Sequence, residues 1–78
     1  MIEEFDRVAL TVDLPEYRLK TGDVGTVVDI TSNGRQYALE FFNLAGDTIA
    51  VVPVEPTQVR SVRSNEIAHA RVTELAPI

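Results

Sequence analysis

The chain has 78 residues, no cysteine, 45% hydrophobic and 24% charged residues, and a formal net charge of −5 from twelve acids and seven bases. That length makes one domain, and the composition excludes a disulfide scaffold, a thiolate zinc site and wholesale disorder. The acid excess weighs against nucleic acid and against anionic membranes, both of which recruit cations.

The N-terminus, Met1-Ile2-Glu3-Glu4-Phe5-Asp6, is acidic and lacks a long apolar segment. It does not read as a secretory signal, and no run approaches the ~20 apolar residues of a membrane span. A cytoplasmic protein is expected. The first strand is predicted over Arg7 to Val12, where Val8, Leu10 and Val12 alternate with Arg7, Ala9 and Thr11 at the period of a half-buried strand. Asp13-Leu14-Pro15-Glu16-Tyr17-Arg18 breaks it, because proline has no ladder donor and restricts Leu14 before it.

Lys20 to Ile30 is the most informative stretch. Gly22 and Gly25, three apart, lead into a β-branched run. Glycine opens backbone angles closed to other residues, and Val, Ile and Thr suit a pleated strand. The segment predicts a tight turn feeding a bent strand over Val24 to Ile30. Gly25 lies inside the strand, where glycine is costly, so a conformation or a packing site that excludes a Cβ is expected there. Asn33-Gly34 marks a hairpin, and Gln36 to Phe42 is the third strand. A second hairpin loop follows at Asn43 to Asp47, with Gly46 in a left-handed position, then a fourth strand over Thr48 to Val54. Glu55-Pro56-Thr57 predicts a 3₁₀ turn and Gln58 to Val62 a brief edge strand. Five short strands joined by tight turns predict an all-β, SH3-like barrel over residues 1–62.

The tail over residues 63–78 has a different pattern. Ile67, Ala68, Arg71, Val72 and Leu75 fall on one helical stripe, Ser64 or Asn65 suits the N-cap, and Pro77 ends it. A short helix is expected, marginal alone: it docks on its own barrel or on a neighbour, or the tail stays disordered until a partner arrives.

These residues resemble a known family. Phe5-Asp6-Arg7-Val8, Leu14-Pro15, Leu19 to Val28, Tyr37 to Phe41, Gly46 to Val52 and Gln58-Val59-Arg60 together are similar to the small bacterial family called domain of unknown function 4926, over about residues 5–62. The resemblance implies an SH3-like barrel and carries no activity, substrate or catalytic residue. Gly22 to Val28 is also similar to the KOW motif of ribosomal and transcription proteins, a likeness that the turn geometry alone would select.

No catalytic, cofactor-binding or metal set is expected. His69 is the single histidine, so a triad or imidazole metal cluster has no partners. Asp23 with Asp29, and Asp13 with Glu16, match no calcium-loop spacing and read as solubilising turn residues. Gly22 and Gly25 lack the Lys-Ser/Thr pair and following helix of a phosphate loop. The structural glycine and turn positions are Gly22, Gly25, Asn33, Gly34 and Gly46.

Function is therefore sought in binding. Tyr17 stands alone where a proline-peptide groove would need several aromatics. The fourth strand is apolar on both faces, so its register decides what is exposed. A glycine-bulge loop puts Phe41 opposite Ile49 and Leu39 opposite Val51, leaving Phe42, Val52 and Val54 outside. A register shifted by one buries Ala50 and Val52 and exposes Ile49 and Val51. Phe42, Val52, Val54 and Tyr17 are the candidate partner surface. The expected function is a non-catalytic protein-interaction module with an unidentified protein partner or a second copy of the chain, in one variant an acidic accessory or antitoxin-like protein capping a basic partner. The alternative is a KOW-like nucleic-acid-binding domain.

Overall fold

The computed structural model describes residues 1–78. Strands β1 (Arg7–Leu10), β2 (Val24–Ile30), β3 (Tyr37–Phe42), β4 (Thr48–Val54) and β5 (Val59–Ser61) form one antiparallel sheet in the order β4-β3-β2-β1-β5. The remaining regular structure is two 3₁₀ turns, Pro15–Tyr17 and Pro56–Gln58. Each begins at a proline, whose fixed φ is already that of the turn.

The fold is all-β with the five expected strands, but β4 and β5 share no ladder, so the sheet is not closed into a barrel. Pro53, which offers no N–H, is accommodated because β4 is an edge strand. The inner faces still converge. Val52 and Val54 of β4 and Val59 of β5 belong to one core with Val8, Leu10, Val27, Leu39 and Phe41. Leu14 and Leu19 of the early loop complete it. Those two exchange backbone hydrogen bonds, Leu14 N–H to the Leu19 carbonyl at 2.9 Å and the reverse at 3.1 Å, which folds the loop onto the core.

Two bulges set which side chains face inward. In β2, Val27 opposes Leu39 and Asp29 opposes Ala38, so Val28 is the extra residue. Without it, simple alternation from Val27 would drive Asp29 into the core. With it, Asp29 is exposed and Ile30 packs against the core. In the β3–β4 hairpin, the Asn43 N–H donates to the Asp47 carbonyl at 2.9 Å, closing a three-residue loop that ends on Gly46 at φ 91°. Phe42 opposes Thr48 as that loop dictates, but Phe41 then opposes Ala50, and Ile49 is extra. The register on the core side of the bulge is therefore the shifted one. Leu39 faces Val52, both are buried, and Val51 is exposed. Val52 and Val54, expected on a partner surface, are core residues at 2% exposure each.

Beyond Ser61 the chain has neither helix nor strand. The expected tail helix is not formed. A helix advances 1.5 Å per residue and an extended chain up to ~3.3–3.6 Å. The tail instead spends its length reaching anchors on β5, at the turn before β2 and on the start of β4.

Candidate interaction face under the C-terminal tail

β1 turns Val8 and Leu10 inward and Ala9 outward, opposite Val24 on one side and Arg60 on the other. Ala9 is nonetheless 2% exposed, between Val24 and Arg60, on the face over which the tail runs. A cleft of about 650 Å³ separates them. Val24, Phe42 and Ile49 line it from the sheet together with Arg7 and Arg60, and Val62, Ile67 and Ala68 from the chain beyond β5. Val24 is 45% and Phe42 46% exposed, while Leu44 projects freely from the adjoining loop.

Three anchors hold the tail. Arg60 grips Glu66 with both guanidinium arms, at 2.9 and 2.8 Å, and the Arg63 N–H donates to the same carboxylate at 2.7 Å. The Arg60 bond, reinforced by the Arg63 amide, holds the Glu66 carboxyl down at about 2. Arg71 forms the second anchor. Its Nε donates to Asp23 Oδ1 at 2.8 Å, its Nη2 pairs with Asp23 Oδ2, and the same nitrogen reaches the Arg18 carbonyl at 3.5 Å. The third is the Ile78 N–H, which donates to the Thr48 carbonyl at 2.9 Å, with Leu75 packed on the core nearby. Arg18 and Glu74 add a loose pair at 3.7 Å.

The Asp23 site is built by the turn before β2. Gly22, at φ 92°, takes a conformation closed to most side chains, and its N–H donates to the Leu10 carbonyl at 2.8 Å. That turn aims the Asp23 carboxylate at the Lys20 N–H, 2.8 Å away, with its second side open to Arg71. The Asp23 side chain is 17% exposed. Burial pushes its carboxyl up, but Arg71 and the Lys20 amide outweigh that and hold it below the ordinary carboxylate value. Asp13 is likewise lowered, by the Thr21 N–H and hydroxyl at 2.8 and 2.9 Å, and serves to fasten the early loop.

The anticipated positions separate into two groups. Gly22, Gly34 and Gly46 sit at positive φ in turns. Asn33 organises its turn through Oδ1, accepting from the Thr31 hydroxyl at 2.8 Å and the Arg35 N–H at 3.0 Å. Gly25 has no unusual φ; a Cβ there would lie 3.0 Å from the Phe41 ring. Of the candidate partner residues, Phe42 alone lies on the outer face beside the cleft. Val52 and Val54 are core, and Tyr17 is half-buried in the first 3₁₀ turn, packed on the core. His69 lines the cleft from the tail. Asp23 and Arg71 carry the best-built polar contact on this face. Asp23 reads in sequence as a turn residue and Arg71 as part of a helical stripe, and nothing in their spacing of 48 positions pairs them.

No group of side chains is arranged to hold a metal ion, and no helix is long and apolar enough to cross a membrane. No curated protein and no solved structure shows a significant match to the chain. The family model described as Domain of unknown function (DUF4926) matches residues 4–61, from the turn before β1 to the end of β5, and the chain belongs to that family.

Proposed function

We propose that this chain is a non-catalytic protein-interaction module whose partner surface is the outer sheet face around Phe42 and Val24. One observation carries the reading: a cleft of about 650 Å³ whose sheet wall presents Val24, Phe42 and Ile49 beside Arg7 and Arg60, and which the tail borders without filling. Ile67 and Val72 of the tail are 87% and 93% exposed, so these two side chains leave the face largely uncovered. Exposed apolar surface beside a polar rim is characteristic of contact with another protein. The net charge of −5 favours a partner with a basic surface, through steering and complementarity. Arg18, Arg60 and Arg71 are already paired to acids, which leaves little cationic surface for phosphates.

The test is a photo-reactive amino acid at position 42, irradiated in the native cell, with adducts identified by mass spectrometry. A defined protein adduct that an identical probe at exposed Arg35, in the β2–β3 turn at the other end of β3, does not give supports the proposal. Adducts to RNA or DNA would replace it with the nucleic-acid reading.

A further inference from the structure

The Asp23–Arg71 contact has the form of a recognition site with a resident ligand. An arginine fork on a carboxylate fixes both direction and distance, which a lysine cannot reproduce. Here the carboxylate is prearranged. The Gly22 turn and the Lys20 N–H hold Asp23 in place from within the domain. The arginine comes from a segment with no regular structure of its own. Away from Arg71 that segment is held by the Ile78 amide, by Leu75 against the core and by pairs at the surface. Its other ion pairs join exposed side chains, at 49% and 31% for Arg60 and Glu66 and 64% and 81% for Arg18 and Glu74, and such pairs contribute little. The Arg71 side chain also reaches the Arg18 carbonyl, exposed by the left-handed turn at φ 58°. Asp23, that carbonyl and the cleft beside them thus make a subsite for an arginine preceded by small residues, the pattern of the tail itself, where Ala68, Ala70 and Arg71 all line the cleft.

We propose that the outer face binds an extended, arginine-bearing apolar segment of a partner protein, seated with its arginine on Asp23, and that the tail is a displaceable strap occupying that site in its absence. The proposal rests on the interaction-module reading and names the chemistry of its partner. Negative net charge matches a basic segment, and the tail's tether makes it an intramolecular competitor at an effective concentration in the millimolar range for a flexible linker.

The experiment uses the full chain and a fluorescent peptide of residues 64–78, followed by anisotropy. Wild-type chain should bind it weakly, and Arg71→Ala chain, whose own strap is loosened, at least tenfold more tightly. Peptides carrying Arg71→Ala or Arg71→Lys should lose most of that gain, a result independent of whether any variant of Asp23 folds. Equal binding by the two chains, or equal binding of the three peptides, overturns the strap. Dimerisation of the wild-type chain with rising concentration, abolished by Arg71→Ala, would also overturn it by making a second copy the occupant. Failure here with a protein adduct at position 42 rejects only the arginine-led mode, whereas failure at position 42 rejects the interaction module.

Discussion

Replacing Gly25 by alanine should destabilise the fold, by up to about 2 kcal/mol. A Cβ at this position would stand 3.0, 3.0 and 3.3 Å from three carbons of the Phe41 ring. Ordinary contact begins near 3.4 Å, so the ring must retreat by several tenths of an ångström. It has little freedom to do so, being 2% exposed within the core it shares with Val27 and Leu39. Overpacking of this kind costs about 1–3 kcal/mol, burial of the added methyl included. Against it stands a gain of about 0.4–1 kcal/mol from stiffening the unfolded chain. For a domain of this size each kcal/mol moves the melting temperature by about 4–8 °C. Thermal unfolding followed by circular dichroism measures it directly. The cost should shrink when Phe41→Leu removes the ring, giving a coupling of about 0.5 kcal/mol or more in a double-mutant cycle. A Gly25→Ala protein melting at or above the parent temperature would refute the argument.

The shifted register predicts that Val52→Ala costs about 2 kcal/mol while Val51→Ala, one residue away, stays within about 0.5 kcal/mol, compared by denaturant unfolding. Acid should release the tail. Asp23 and Glu66 both titrate below their ordinary values when folded, so their contribution is complete above those values and disappears as pH falls through the folded ones. For Glu66 the window runs from 4.5 down to about 2. NMR order parameters of residues 66–75 should be flat from about pH 8 to pH 5 and drop between about pH 4 and pH 2; a drop above pH 5 would contradict the assignment. No binding to single- or double-stranded nucleic acid is expected at physiological salt by fluorescence anisotropy, and salt-sensitive micromolar binding would overturn the charge argument.

The strands were legible because short-range chemistry dictates them. Alternation marked Val8 and Leu10, the β-branched run marked β2, and Asn33-Gly34 and Gly46 marked both hairpins. Gly25 was legible as an anomaly, and its cause, the Phe41 ring, lies on another strand. The bulges were not legible. Ile49 and Val28 are ordinary strand formers, and which residue a ladder skips depends on how both neighbours pack, so β4 looked equally sound in either register. The tail failed for a related reason. Its helical stripe is real as a pattern, but Glu66 is tied to Arg60, six residues back, and Arg71 to Asp23, 48 residues away. The site was half legible: Phe42 came from the loop length, whereas the Asp23–Arg71 fork exists only once the chain is folded.

The two bulges also decide where the chain can change length. β3 is flanked on both sides by a strand carrying one residue more than the pairing uses. Removing Val28 or Ile49 would restore an unbroken ladder and leave every other side chain on its present face. Removing Asp29 or Val51 instead would change the parity of its strand and exchange inside for outside along it, unless the bulge itself were given up. The sheet thus holds one spare residue in each of β2 and β4. Single-residue deletions are absorbed there by ironing out a bulge, and β3 has no such reserve.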